Sequence, residues 1–282
     1  RLSPLTVGLF PLRRVACSTF SFAGQVWCHV EIPLTMSNNS VDDQYIDCNP
    51  AMLLELQVPG KIPVKEEYHQ TWAKAKKHWD RLGQSVGNFN PIYGTAIVAY
   101  TVGDDLYRDF NAAAREAGKS QDSYDRYAFR DFHLLLTKAV QAKPKERCYE
   151  VFRGIKNIHF TVSDKAIVRF GHFASSSLDK MVAENYGKDT FFSIRTCYGV
   201  PIDDFSYNPN EKEVLIPPYE MFAVTGHRRV EKRVDITLES RGVYSHCNCK
   251  VLNGKRLGEE KEEENMGFKG PQGTSRAPGQ RS

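Results

Sequence analysis

TKAVQAKPKERCYEVFRG, Thr137–Gly154, holds the change of pattern on which the fold turns. Upstream, Tyr124, Ala128, Phe132, Leu135 and Ala139 recur at helical spacing in QDSYDRYAFRDFHLLLTKAV (Gln121–Val140), so one amphipathic helix is predicted there. Pro144 stops it, because the ring removes a backbone donor and clashes with the preceding turn. Downstream, CYEVFRG opens a series of short runs rich in β-branched and aromatic residues.

Working outward, DDLYRDFNAAAREAG (Asp104–Gly118) sets Leu106, Phe110, Ala113 and Ala117 on one helix face, with acidic residues at its start and Gly118 at its end. Beyond the switch come AIVRFGHFASSS (Ala166–Ser177), DTFFSIRT (Asp189–Thr196), EVLIPP (Glu213–Pro218), MFAVTG (Met221–Gly226) and VDITLE (Val234–Glu239). One helix-like piece, SLDKMVAENYG (Ser177–Gly187), interrupts them. Helices followed by strands imply an α+β fold with a mainly antiparallel β core.

The chain of 282 residues is 41% hydrophobic, enough for a sizeable core. A net charge of +4, from 38 basic and 34 acidic residues, includes no cationic block dense enough to track a phosphate backbone, so no nucleic-acid partner is expected. Seven cysteines lie far apart, and the one close pair, Cys247 and Cys249, lacks the partners of a zinc site. No metal is therefore expected, and disulfides formed in an oxidising compartment are. The sequon at Asn38 agrees with a glycosylated, secretory-route protein. No apolar run is long enough to span a membrane, nor is there a hydrophobic lipid-anchor tail, so a secreted, monomeric product is expected. Residues 1–36 begin at Arg1 and are broken by Pro11, Arg13 and Arg14, reading as a leader-like or misassigned segment. Residues 253–282 hold too few apolar side chains to order themselves and read as a polar tail. The working unit is thus 37–252.

Three strand ends carry polar residues that core packing does not call for: Arg153 in VFRG, Ser175–Ser177 in FASSS, and Glu211 with Glu213 in NPNEKEVLIPPYE (Asn208–Glu220). Read as one strand, that last stretch places Glu211 and Glu213 on the same face, with Cα atoms roughly 7 Å apart, and Lys212 on the other.

With DDQYIDC (Asp42–Cys48), FNAAAREAG, VFRG, RFGHFASSSL, DTFFSIRTCYG and EKEVLIPPYE, the chain from about Val41 to Leu252 resembles the arginine-specific ecto-ADP-ribosyltransferases, vertebrate relatives of the cholera-toxin-like toxins. The resemblance implies a transferase that moves ADP-ribose from NAD, as co-substrate, to the guanidinium of arginine in acceptor proteins or of small guanidines. It assigns the family's Arg, Ser and Glu to Arg153, Ser175 and Glu213, and the additional Glu of arginine-directed members to Glu211. It also implies that Tyr100, His172 and Ser206 line the NAD pocket, His172 standing where relatives often have Gln. Taken alone, Tyr100 reads as a strand-end tyrosine. Tyr207 and Asn208 would face the acceptor. The pairings implied are Cys148 with Cys197, and Cys48 with either Cys249 or Cys247. The second closes a loop of ~200 residues, a constraint of ~4 to 5 kcal/mol or more in the chain-entropy model.

The chemistry accounts for these residue types. Nicotinamide leaves NAD as a neutral group, so no general acid is required, unlike ordinary glycoside hydrolysis. An anion is needed where positive charge develops on the ribose, the role implied for Glu213, with Ser175 holding that carboxylate. Arg153 offers the diphosphate a planar, permanently charged fork. Glu211 would grip the acceptor guanidinium and take its proton. Two alternatives remain: an NAD glycohydrolase, with water as acceptor, and an inactive binding module. Intact Glu211 weighs against the first, and intact Arg153, Ser175 and Glu213 against the second.

Overall fold

The computed structural model describes residues 14–19, 26–48, 50–58, 60–144 and 147–249. The expected polar tail, and residues 1–13 and 20–25 of the leader-like segment, lie outside them.

Helices α1 (Ala51–Leu56), α2 (His69–Leu82), α3 (Pro91–Thr101), α4 (Asp105–Ala117), α5 (Gln121–Asp125) and α6 (Arg130–Ala142) precede Pro144. After it come β3 (Tyr149–Ile155), β4 (Ile158–Thr161), β5 (Ile167–Val168), β6 (Ala174–Ser177), α7 (Lys180–Tyr186), β7 (Thr190–Thr196), β8 (Val200–Pro201), β9 (Glu213–Ile216), β10 (Glu220–Val230) and β11 (Arg233–Val243). Strands β1 (Arg14–Thr19) and β2 (Val26–Pro33) stand before the helices. The chain is α+β, with its change of pattern at Pro144.

Three sequence readings need correction. The single helix over 121–140 is two, because Tyr124, Tyr127, Phe129 and Phe132 are all buried and no single helical face can carry that spacing. The chain bends between them. Tyr100 lies in α3, not at a strand end. This helix is buried almost all round and so lacks the polar face that betrays a helix in sequence. Asn90 caps it, accepting from Ile92 N at 3.0 Å, and Pro91 fills the first position, where no donor is needed. AIVRFGHFASSS is two strands, parted where the Arg169 side chain turns inward to a buried ion pair with Asp42 at 2.6 Å.

Eight strands form the main sheet in the order β5-β10-β11-β7-β3-β6-β9-β8. Its neighbours run antiparallel except β11 and β7. A smaller sheet runs β1-β2-β4. Strand β2 falls within the segment expected to be leader-like, yet it pairs in parallel with β4, and Ile32 and Leu34 are buried in the sheet's core.

Two apolar cores flank the part of the sheet that matters for function. Phe173, Val200 and Leu215 face the helices, packing with residues such as Trp79, Phe110 and Phe132. Ala174, Val214 and Ile216 face the opposite core with Val151, Phe192, Phe222 and Ile236. Strands β6 and β9 are therefore covered on both faces, which explains their unbroken apolar run in EVLI. Burial of each large apolar side chain contributes roughly 1.5–3 kcal/mol, so the positions of these strands are strongly fixed.

Disulfides join Cys148 to Cys197 and Cys48 to Cys249, while Cys247 lies buried outside both bridges. The first ties the start of β3 to the end of β7. The second ties the segment before α1 to the residues after β11, alongside a buried clasp in which Asp42 accepts from Arg169, from His246 Nδ1 at 2.6 Å and from the backbone N–H groups of His246 and Cys247. The cluster Asp42, His246 and Cys247 has the composition of a cation site, but the guanidinium of Arg169 already supplies its positive charge.

Candidate active site

Strands β3 and β6 share a single register pair, Phe152 with Ser177. Away from that pair the strands part, and the ladder groups they would have satisfied need other partners. Arg153, buried on β3, supplies one by donating from Nη1 to the carbonyl of Ser175 on β6. Strand β9 pairs fully with β6, setting Glu213 opposite Ser177 and Leu215 opposite Ser175. Ser175 and Glu213 are thus diagonal neighbours across one ladder, within reach of each other. The three residues of the expected Arg, Ser and Glu set come together where the sheet splits.

Glu213 is 3% exposed. Burial pushes its carboxyl up to about 7; a hydrogen bond from Ser175 opposes that rise, Glu211 adds to it and Arg153 opposes it. Ser175 also lies in hydrogen-bond reach of the Tyr100 hydroxyl. Tyr100 donates its own proton to the Phe173 carbonyl at 2.8 Å and accepts from Asn111 Nδ2 at 2.9 Å. The charged form of Glu213 is the stronger acceptor for the single Ser175 proton. Tyr100 is therefore buried behind Ser175, with its hydroxyl engaged by protein groups.

His172 sits two residues before β6, its Nδ1 at 2.6 Å from the Phe170 carbonyl. A carbonyl only accepts, so Nδ1 carries the proton and Nε2 presents a lone pair. Burial, helped by the positive charges of Arg115 and Arg153, holds His172 well below the usual imidazole range, so it is neutral. Its buried Nε2 meets no partner among the described residues and can accept from a ligand N–H or O–H.

The reading of Glu211 and Glu213 as alternate residues of one strand is also corrected. Glu211 closes a 3-10 turn, Pro209–Glu211; Lys212 takes a left-handed conformation with φ 45°, and the strand begins only at Glu213. Pro209, which supplies no donor, favours that turn. The two carboxylates still interact, Glu211 raising the proton affinity of Glu213. Glu211 is 6% exposed, and its Oε1 accepts from Tyr186 Oη at 2.7 Å and from Asn208 Nδ2 at 2.8 Å. Ser177 Oγ donates to its backbone carbonyl. Lys212 points to solvent and pairs with Asp179 at 3.0 Å.

Ser206 is buried, and its Oγ accepts from the backbone N–H of Asn208, shaping the loop that carries Glu211. Tyr207 is 47% exposed with its ring beside His78, and its N–H donates to Thr101 Oγ1 at the end of α3. The loop is thereby fixed to the helical half.

Asn111 and Arg115 were not singled out by sequence. Both are buried on α4, and Tyr107, Asn111 and Arg115 recur every four residues down one side. Burial, with opposing and reinforcing charges around it, lowers Arg115 to about 10. Arg115 and Arg153 both act electrostatically on His172, so two guanidinium groups and one neutral imidazole converge beside the split. Asn111 and Arg115 lie well away from the Leu106, Phe110, Ala113 and Ala117 face, so the helical pattern carried no signal of their burial.

A sequence model of the family described as NAD:arginine ADP-ribosyltransferase matches residues 34–246. The erythroblast NAD(P)(+)--arginine ADP-ribosyltransferase of Gallus gallus is 41% identical over 237 residues, covering 81% of this chain and 79% of that protein. The GPI-linked NAD(P)(+)--arginine ADP-ribosyltransferase 1 of Homo sapiens is 36% identical over 249 residues, covering 80% and 76%. Among solved structures, a mutant of the eucaryotic mono-ADP-ribosyltransferase ART2.2 in complex with NADH superposes with a TM-score of 0.66 at 34% identity, covering 77% of this chain and 98% of that one. By family match, relatives and fold, the chain belongs to the NAD:arginine ADP-ribosyltransferase family.

Proposed function

We propose that this chain transfers the ADP-ribosyl group of NAD to the guanidinium of arginine in acceptor proteins or small guanidines, releasing nicotinamide. NAD supplies a ribose carbon whose bond to the nicotinamide nitrogen breaks, with the electron pair leaving on neutral nicotinamide. The observation that carries the reading is a buried carboxylate, Glu213, next to Ser175, with a second carboxylate alongside it.

Glu213 stabilises positive charge developing on the ribose, in a water-poor site where an aimed anion acts most strongly. Ser175 holds that carboxylate by its single hydroxyl proton, and Tyr100 with Asn111 fixes the backbone and hydroxyl behind Ser175. Arg153 and Arg115 supply the cationic surroundings that a diphosphate requires. His172 accepts a hydrogen bond from the bound dinucleotide through Nε2, and Ser206 shapes the pocket through the Asn208 loop. Glu211 receives the acceptor guanidinium and takes its proton as the new carbon–nitrogen bond forms. Tyr207, on the rim beside Glu211, faces the acceptor.

The secretory route suits the chain: two disulfides are stable in an oxidising compartment, and the Asn38 side chain of the sequon is exposed. Relatives include proteins named ecto-ADP-ribosyltransferase and GPI-linked. No described helix is long and apolar enough to cross a membrane.

The test measures nicotinamide release and agmatine labelling in parallel, from labelled NAD, for the wild type and Glu211→Gln. Labelling should fall by far more than nicotinamide release, turning the enzyme toward glycohydrolysis. An equal fall in both, or no fall in either, would contradict the division of labour. A wild type that releases nicotinamide without labelling agmatine would identify an NAD glycohydrolase instead.

A further inference from the structure

We propose that Tyr186, seconded by Asn208, positions the Glu211 carboxylate for the acceptor and thereby sets the partition between transfer to arginine and hydrolysis. The inference rests on the acceptor role of Glu211 given above, and it adds a positioning residue from a different element of the fold.

Tyr186 is the last residue of α7, and the position of that helix is set by backbone contacts rather than by side-chain packing alone. Asp179 caps its start, accepting from Met181 N at 2.9 Å. At its other end two glycines let main chain meet main chain. A Cβ on Gly154, the residue after Arg153, would collide with the carbonyl oxygens of Ala183 and Gly187. A Cβ on Gly187 would collide with the backbone of Ile155 and Lys156, and Gly187 has φ 154°, which disfavours any side chain. The C-terminal turn of α7 therefore rests on the backbone of β3 directly beyond Arg153. The Tyr186 hydroxyl is a fixed extension of the strand that carries Arg153.

From there it donates to Glu211 Oε1 at 2.7 Å, while Asn208 Nδ2 donates to the same oxygen at 2.8 Å. One donor comes from α7 and the other from the turn that holds Glu211, so the carboxylate is fixed between two separately anchored elements. Both donors are neutral. A phenol and an amide orient the carboxylate without adding a positive charge of their own.

Orientation matters unequally for the two acceptors. A guanidinium must approach the ribose carbon along one line while surrendering a proton to Glu211, and small errors in such an alignment cost large factors in rate. Water is small, can enter in many orientations, and needs only the charge stabilisation supplied by Glu213. Loosening Glu211 should therefore penalise transfer more than hydrolysis.

The experiment compares wild type, Tyr186→Phe, Glu211→Gln and the double variant, each assayed for nicotinamide release without acceptor and for agmatine labelling. Phenylalanine keeps the ring and removes only the donor. Loss of one hydrogen bond to a charged group should lower the ratio of labelling to nicotinamide release roughly tenfold. In the double variant, Tyr186→Phe should add no further change to the ratio found for Glu211→Gln alone, because its effect runs through that carboxylate. A proportional loss of both activities in Tyr186→Phe would assign the tyrosine a purely structural role and overturn the proposal, as would an unchanged ratio. If Glu211→Gln separates the activities and Tyr186→Phe does not, the positioning inference alone fails. If Glu211→Gln does not separate them, the acceptor role of Glu211 fails and the inference falls with it.

Discussion

Glu213 opens a strand covered on both faces, whereas Glu211, two residues earlier, ends a 3-10 turn tied down by side chains from α7 and its own loop. Burial dominates the first and raises its proton affinity to about 7; two neutral donors orient the second. The sheet fixes the backbone of Glu213 and sets Ser175 beside its carboxylate. Glu211 depends on hydrogen bonds that could be altered one at a time. In the proposed mechanism the first carboxylate answers a charge that develops at one atom, and the second must be aimed at an incoming guanidinium. The two-residue spacing lets a single segment meet both demands.

The largest test of this contrast is Glu213→Gln. Removing a preorganised charge aimed at a developing one costs on the order of 100- to 1,000-fold in rate, and here nicotinamide release and agmatine labelling should fall together. Near-normal turnover would break the comparison at its stronger end. The same substitution should stabilise the fold at alkaline pH. A carboxyl raised from 4.5 to about 7 favours the folded state below its unfolded value and loses that contribution as pH rises to 7, a swing of about 3 kcal/mol. Thermal melting at pH 8 should place the variant several degrees above wild type, and a lower melting temperature would show that the charged form is better accommodated than burial implies.

A second, smaller effect sharpens the difference between the two carboxylates. In the proposed mechanism Glu213 acts as an anion, so kcat/KM for nicotinamide release should fall on the acid side with a midpoint near pH 7. A profile flat from pH 5.5 to 8.5 would remove Glu213 from the rate-determining chemistry.

The smallest expected change concerns Lys212, which separates the pair. Its ion pair with Asp179 is exposed and contributes at most about 1 kcal/mol, while its left-handed φ of 45° favours glycine. These terms oppose each other, so Lys212→Gly should shift the melting temperature by no more than about 2 °C. A larger drop would show that the turn carrying Glu211 relies on the lysine side chain.

The α+β order, α4, the strand runs around Arg153, Ser175 and Glu213, and the Cys148–Cys197 pair were all legible in the sequence, because strong periodicity, a helix-stopping proline and a family motif marked them. Helix α3 was not legible, since burial all round erases the stripe that identifies a helix. The turn at Glu211 was hidden for a related reason: E-x-E before VLI satisfies strand alternation, and only Pro209 hinted that pairing starts later. Asn111 and Arg115 lie well away from the Leu106, Phe110, Ala113 and Ala117 face, where polar residues are expected, so nothing in the helical pattern marked them as buried. Nothing local could reveal that Tyr186 reaches Glu211, because that contact depends on how closely α7 settles on Gly154. The choice of Cys249 over Cys247 likewise depends on the path taken by the chain after β11.

The buried clasp of Asp42 with Arg169, His246 and the backbone of Cys247 has a consequence for the order of assembly. Its components are separated by 127 to 205 residues, and β11, the last strand, lies in the interior of the sheet between β10 and β7. A chain emerging from its N-terminus can form helices early, but the Asp42 charge must wait for nearly the whole unit before it has all its partners. Contacts of such long range slow folding, because loop closure must precede any return from them. Completion of the clasp therefore waits until His246 and Cys247 have been made, and a product truncated before His246 would retain Arg169 but lose three of the four donors named for this carboxylate. Removing one partner from a buried charge costs roughly 3–5 kcal/mol, so a chain lacking His246 should be less stable by an amount of that order.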